Sequence, residues 1–255
     1  TLTGTADDDA GTVSGIASGA TVRMADANLI ATLDTVAGAT LNLDVYALSD
    51  EQVTITDAAT VNVITSLAGT DTTVASIVLD TADTTALNVT GSTTAGDTLG
   101  TGNITGTNAL ASVSAASSAT GSTVTLGTVA DADALTSITL TAAQADADIG
   151  QVGTNATANN AELLTDVTVS SSGTGVTATM GAIFADSTVD SASDLAMTVT
   201  ATSGSGSTTA MGAIDNTFGS ITGTYATSGT TTQAGLTAAS MTLSKSGGGN
   251  ATFDA

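Results

Sequence analysis

Aspartate is the only abundant side chain of this sequence that is able to do chemistry. The 255 residues include 24 acidic ones, only Arg23 and Lys245 as cations, and neither His nor Cys. Hard divalent cations prefer oxygen ligands, so these carboxylates indicate calcium rather than zinc, thiol or disulfide chemistry. We therefore predict Ca2+ as the bound cofactor.

The aspartates cluster in short segments that look like turns and strand ends. In an Asp-x-Asp pair on an extended chain, both carboxylates lie on one side and are able to share an ion. The alternative is that these aspartates only form turns and keep the chain in solution. The predicted metal ligands are Asp7, Asp8, Asp9, Asp80, Asp83, Asp97, Asp131, Asp133, Asp146 and Asp148, and Asp71 is a further candidate.

Charge and composition exclude several classes of function. A net charge of −22 repels the phosphate backbone of nucleic acids. Without His or Cys the chain lacks the commonest catalytic base and a thiolate, and three Phe, two Tyr and no Trp provide few platforms for sugars. No apolar stretch reaches the roughly 18 residues of a membrane-spanning helix. We predict a protein that is not an enzyme, binds no nucleic acid and does not insert into membranes.

Short alternating runs of apolar and hydroxyl residues predict β-strands along the whole chain. Apolar residues make up 41% of the sequence, which is typical of a folded protein rather than a disordered acidic one. Alternation with a period of two, with β-branched Thr between Val, Ile or Leu, favours strands with one buried side. The clearest runs are Leu41–Leu43, Val53–Thr56, Val61–Val63, Ile77–Leu79, Leu87–Val89, Thr123–Leu126, Ile138–Leu140, Val167–Val169, Met197–Val199 and Met241–Leu243.

The spacing of these runs predicts an all-β parallel solenoid. Coils of about 20 to 30 residues with small residues in the turns fit the spacing, although no fixed repeat is present. Short helical insertions are predicted at 26–33, 142–147 and 155–164. The uneven distribution of acidic residues predicts an acidic segment at 1–150 and a less acidic one at 151–255, either separate or continuous with the first. The alternative fold is a tandem of immunoglobulin-like sandwiches, which the lack of Pro and of large aromatic anchors disfavours.

Pairs of threonines separated by one residue would form a regular ladder on one side of the solenoid if they were in register. The pairs in question are Thr54/Thr56, Thr123/Thr125, Thr139/Thr141 and Thr198/Thr200. Their spacings in the sequence share no common coil length. We therefore expect these threonines to be ordinary strand residues.

Two segments, Thr1–Gly11 and Ala95–Ile104, resemble degraded Gly-Asp-x-Leu turns of RTX-type calcium-binding repeats. Together with the Thr, Ala, Ser, Gly and Asp bias, the chain resembles bacterial surface-layer proteins and related type I secreted filaments and adhesins. The resemblance implies Asp7, Asp8, Asp9 and Asp97 as calcium ligands. No complete Gly-Gly-x-Gly-x-Asp repeat is present.

From this resemblance we expect an extracellular structural protein at the cell surface that self-assembles into a surface layer or filament in the presence of Ca2+. Its expected partners are copies of itself, with a cell-surface polysaccharide as a second candidate. The alternative is an adhesin stalk that presents a separate binding tip. Because the sequence starts at Thr1, we expect a processed product or a segment of a longer protein.

Overall fold

The computed structural model describes residues 9–25, 29–46, 51–67, 70–79, 82–91, 97–106, 108–117, 122–130, 132–154, 161–185 and 196–254. These residues form twenty strands and no helix. The strands are β1 (Asp9–Ile16), β2 (Thr21–Met24), β3 (Leu29–Val45), β4 (Gln52–Ile64), β5 (Thr72–Leu79), β6 (Ala86–Thr90), β7 (Thr98–Thr105), β8 (Ser112–Ser117), β9 (Thr123–Leu126), β10 (Ser137–Ala142), β11 (Ala147–Ile149), β12 (Asp166–Ser171), β13 (Thr177–Met180), β14 (Ile183–Phe184), β15 (Ala196–Ser203), β16 (Thr208–Met211), β17 (Ile214–Thr227), β18 (Thr230–Gln233), β19 (Leu236–Ser246) and β20 (Asn250–Phe253).

The strands stack into three parallel ladders, which we name A, B and C in the order in which the chain visits them. Ladder A runs from β1 through the first parts of β3 and β4, the second parts of β5 and β7, and β14 to the first parts of β17 and β19. Ladder B consists of β2, the second parts of β3 and β4, β6, β8, β10, β12, β15, and the second parts of β17 and β19. Ladder C runs from the first parts of β5 and β7 through β9, β11, β13, β16 and β18 to β20.

This architecture is a parallel β-solenoid, as the sequence predicted. Every described strand pairing is parallel, which excludes the antiparallel sandwiches of the alternative prediction. The ladders also continue across residue 150, since Ile149 pairs with Met180. All of the alternating runs singled out from the sequence lie in strands.

The coils differ in length, yet the ladders remain in register. The coil that leads from Leu43 to its partner Val63 is much shorter than the coil that leads from Val169 to its partner Ala201. The additional residues of the longer coil lie in the connections between the strands, because loops tolerate insertions that a hydrogen-bonded ladder does not.

The core is a narrow stack of aliphatic side chains inside the three ladders. Leu41, Leu43, Val61 and Val63 are fully buried at alternate positions of ladder B, as the period of two requires. One large aromatic side chain interrupts this pattern. Tyr225 is fully buried, and the missing side chain of Gly223 makes room for its ring, since a Cβ there would lie 2.5 Å from Tyr225 Cε2.

A column of glycines forms the corner between ladders C and A. One glycine follows the ladder C strand in each of four successive coils, and each packs directly on the backbone of the coil before it. A Cβ on Gly181, for example, would lie 2.6 Å from the carbonyl carbon of Gly150. The column therefore requires glycine for close backbone approach. Its members are Gly127, Gly150, Gly181 and Gly212.

The three predicted helical insertions are wrong where the structure describes them. Residues 29–33 belong to β3 and pair with β1, and residues 31–33 also pair with β4. Ala142 ends β10, Ala147 begins β11, and a bend joins them. Residues 26–28 and 155–160 lie outside the described residues, and 161–164 form a turn. The pairing with neighbouring coils outweighs the weak local helix propensity of these segments.

Candidate functional site

The structure describes part of the predicted set of calcium ligands. Asp7, Asp8, Asp80 and Asp131 lie outside the described residues, and Asp9 is the first residue of β1. The remaining five predicted ligands, Asp83, Asp97, Asp133, Asp146 and Asp148, lie on ladder C or in turns.

Asp146 and Asp148 flank one buried residue of ladder C and lie on its outer side. The Thr177 amide donates a 2.7 Å hydrogen bond to Asp146 Oδ1. Burial raises the pKa of Asp148, a hydrogen bond with the Thr179 side chain opposes this rise, and the charge of Asp146 adds to it. The two carboxylates thus share one side of the strand, as the Asp-x-Asp spacing predicted, and repel each other when both are ionised.

Asp97 is a buried carboxylate without a hydrogen-bond partner. Its exposed fraction is 1%, and neither Oδ1 nor Oδ2 has a partner. Ser122 lies beside it in the next coil, since Thr98 pairs with Thr123, and the buried Ser122 hydroxyl also lacks a partner. On the outer side, Asp71 Oδ1 accepts a 3.0 Å hydrogen bond from the Thr98 amide. Burial of a polar group without a partner is costly, and a cation bound beside Asp97 would supply the missing interaction.

Asp83 and Asp133 lie in turns between ladders A and B. Asp83 is half-buried and Asp133 is exposed. The turn at Glu162 occupies the equivalent place one coil after Asp133, since the amide of Thr165 bonds to the carbonyl of Thr136. In the described part of the chain, no three acidic side chains come together as a metal-binding group. The residues that fit a calcium ligand best are therefore Asp97 and the Asp146 and Asp148 pair.

Arg23, one of only two cations, is used inside the fold. Its Nε lies 2.8 Å from Oδ2 of Asp44, its Nη2 donates to Ser66 Oγ at 2.9 Å, and its guanidinium stacks 4.4 Å from the centre of the Tyr46 ring. Asp44 is 2% exposed and also accepts the Ser66 amide at 2.8 Å. This cluster ties three successive coils together and pairs Arg23 with a buried carboxylate.

The outer side of ladder B carries a regular array of hydroxyl groups. We name the outward side chains of β8, β10, β12, β15, β17 and β19 in ladder B the hydroxyl face. Within the described chain, the hydroxyls of Thr139, Thr168, Thr200 and Thr224 make no side-chain hydrogen bond. The central column of the face, in register from coil to coil, is Ser114, Thr139, Thr168, Thr200, Thr224 and Ser244.

This register corrects the expectation that the threonine pairs form no ladder. Thr139 pairs with Thr168 and Thr168 with Thr200, so two of the four predicted pairs belong to the same array. Thr54/Thr56 belongs to ladder A and Thr123/Thr125 to ladder C. The sequence spacing was misleading because the coils differ in length. The same column continues as an asparagine ladder, in which Asn88 donates to Asn62 at 3.0 Å and Asn62 to Asn42 at 2.9 Å.

The last described coil leaves part of its core uncovered. Met241 and Leu243 point inward from β19, yet they are 44% and 38% exposed. Ile221 and Met197, in the same column as Met241, are almost completely buried. The difference arises because no described coil lies over β19. Its outer edge is a row of unpaired backbone groups, ready to pair with another strand.

No helix of the described residues has the length and hydropathy needed to cross a membrane. No family model, no curated protein and no solved structure matches the chain. The function is therefore inferred from the geometry of these surfaces.

Proposed function

We propose that this protein is an extracellular structural subunit whose copies assemble into a surface layer or filament, with Ca2+ reducing the repulsion between them. The observation that carries the proposal is the uncovered inner side of β19. A further coil laid on this surface buries Met241 and Leu243 and satisfies the backbone groups of the free edge. In this proposal a second copy supplies that coil.

The lengths of the first and last described coils are compatible with head-to-tail stacking. In ladder B, Val22 pairs with Leu43 and Leu43 pairs with Val63, so the first two coils contain nearly equal numbers of residues. The last coil, from Tyr225 to its partner Lys245, contains about as many residues as these two. Coils of similar length allow the strands of ladders A and B to continue from one copy to the next, and parallel stacking preserves their direction. Such a contact joins different surfaces of the two copies and shifts each copy along the solenoid axis, so in this proposal it forms no closed ring and growth continues into a fibre.

Calcium has a defined role in this assembly. At a net charge of −22, copies of the chain repel one another. Asp97 and the Asp146 and Asp148 pair present carboxylates whose ionised forms gain from a nearby cation. A Ca2+ ion bound at Asp97 supplies a partner for its buried carboxylate, and one bound at Asp146 and Asp148 removes the repulsion between their charges. Both ions lower the net negative charge that opposes association.

The proposal is tested with a charge placed on the open end. Wild-type protein with millimolar CaCl2 is expected to form filaments or sheets in negative-stain electron micrographs, and Leu243→Glu is expected to prevent them. Thr237→Glu is the matched control, since Thr237 lies on the same strand but is exposed on ladder A. Assembly of Leu243→Glu at the wild-type concentration would show that β19 is not the contact.

An adhesin stalk is the second candidate, and the same observation bears on it. In a stalk, further coils of the same polypeptide cover β19, and the solenoid acts as a rigid spacer. The present chain then stays monomeric at high concentration with calcium present. Analytical ultracentrifugation separates the two candidates, because a structural subunit sediments as a growing series of oligomers.

A further inference from the structure

We infer that the outer side of ladder B, centred on the hydroxyl face, is a lateral interface between two copies of this chain. The inference rests on the proposed function, because a layer needs a sideways contact in addition to an end-to-end contact. It names the surface that makes this sideways contact.

The distribution of charge carries the inference. Among the ten strands of ladder B, the described carboxylates are those of Asp44 and Asp166. Asp44 is buried and paired with Arg23, and Asp166, at the margin of the face, accepts a 2.9 Å hydrogen bond from the Thr165 hydroxyl. The other described acidic residues lie on ladders A and C or in connections. Among the described carboxylates, few therefore face outward on ladder B, and the described carboxylates of two copies repel each other least when the ladder B sides of the copies face each other.

The size and chemistry of this side also suit a contact between copies. Ten strands about 4.8 Å apart, each presenting about six residues, cover roughly 45 by 20 Å, or about 900 Å2 per copy. A stable protein interface buries about 800 Å2 per partner. Thr139, Thr168, Thr200 and Thr224 offer methyl groups for packing and hydroxyls that make no side-chain hydrogen bond within the described chain. An opposing hydroxyl array therefore supplies both contacts and hydrogen bonds.

Cysteine crosslinking provides the first test, since the native chain has no thiol. Thr168→Cys, Thr200→Cys and Thr224→Cys are placed separately on the face, with Thr237→Cys on ladder A as the control. A short bis-maleimide is expected to give at least about five times more covalent dimer from the face variants than from the control. Equal yields from all four variants would overturn the inference.

Added charge provides the second test, in sedimentation experiments with CaCl2. The double variant Thr200→Asp and Thr224→Asp is expected to raise the dissociation constant of the lateral dimer at least about tenfold, because it brings like charges together. Thr237→Asp is expected to leave this constant unchanged. A wild-type chain that remains monomeric, or a double variant that associates like wild type, would overturn the inference. Inhibition of ice recrystallisation by the monomer would then assign the face to an ordered water lattice instead.

The two proposals fail in distinguishable ways. Filaments in electron micrographs without preferential crosslinking of the face variants contradict the lateral interface and leave the proposed end contact intact. Preferential crosslinking into dimers without filaments or sheets supports the lateral interface and contradicts assembly through β19.

Discussion

Gly181→Ala tests the tight corner on which the solenoid depends. The added Cβ would lie 2.6 Å from the carbonyl carbon of Gly150, 2.7 Å from its oxygen and 2.9 Å from the amide nitrogen of Gln151. All three atoms are backbone, so relief requires a shift of one coil against the next. The ladders on both sides of the corner resist that shift, because each is fixed by parallel pairing.

The expected cost follows from these contacts. Overpacking that forces backbone movement costs about 1–3 kcal/mol, whereas Gly→Ala restricts the unfolded chain and returns about 0.4–1 kcal/mol. A net loss of about 1.3 kcal/mol lowers Tm by about 3–5 °C in a protein of this size. Thermal unfolding followed by circular dichroism measures this shift.

Gly248→Ala is the control for the same chemical change. Gly248 lies in the final bend, has no positive φ, and a Cβ there meets nothing within 4 Å. We expect its Tm to stay within about 2 °C of wild type, corresponding to about 0.5 kcal/mol. A Gly181→Ala protein as stable as Gly248→Ala would refute the close approach of successive coils at this corner.

Three further predictions concern charged and titratable groups. Arg23→Ala leaves Asp44 buried without its cation and is expected to lower the free energy of unfolding in urea by about 2–3 kcal/mol. This loss is smaller than that from breaking a fully buried ion pair, because Arg23 is 41% exposed. An unchanged urea midpoint would contradict a stabilising role of Arg23. Asp148→Asn is expected to raise Tm at pH 7 in EDTA and to lose this advantage at acid pH. The pKa of Asp148 is raised in the folded protein, so its carboxyl favours the native state most when it is protonated, below about pH 3.9, and progressively less as the pH rises through the folded pKa. A lower Tm of Asp148→Asn at pH 7 would contradict this prediction. Burial raises the pKa of Tyr225 to about 12, so the stability that its neutral form provides is lost between about pH 10 and 12. In a Tyr46→Phe protein, phenolate absorbance should therefore appear near pH 12, and a midpoint near pH 10 would show that Tyr225 is accessible.

The strands were predictable from the sequence because their signal is local. In Val61-Asn62-Val63, alternation alone determines which side chains enter the core, and the structure buries both valines. The helical predictions failed for the opposite reason. Residues 29–33 are apolar enough for either structure, and pairing with β1 and β4, which no local pattern reveals, makes them a strand.

The glycine column has a signal in the sequence that the alternating runs do not include. An apolar residue precedes each of these glycines, as in Leu126-Gly127, Ile149-Gly150 and Met180-Gly181. One such pair per coil marks the end of a ladder C strand, whatever the length of the connections. The hydroxyl face was not predicted, because the expectation assumed that threonine pairs in one column are separated by a constant number of residues. The coils differ in length and the additional residues lie in the loops, so the register is kept without constant spacing.

The candidate calcium ligands were only partly predictable. The Asp-x-Asp spacing correctly placed Asp146 and Asp148 on one side of a strand. It gave no indication that Asp97 is buried beside Ser122, because these two residues belong to different coils that only the pairing of β7 with β9 brings together. Sites formed between coils depend on register, which only the structure provides.

The most direct test of the proposed assembly is negative-stain electron microscopy after dialysis into CaCl2, into MgCl2 at equal ionic strength, and into EDTA. The magnesium sample separates binding by calcium from general screening of charge. Ordered filaments or sheets with CaCl2 alone are the predicted result. Ordered polymers that persist in excess EDTA would contradict the role of calcium, and isolated particles under all three conditions would contradict self-assembly.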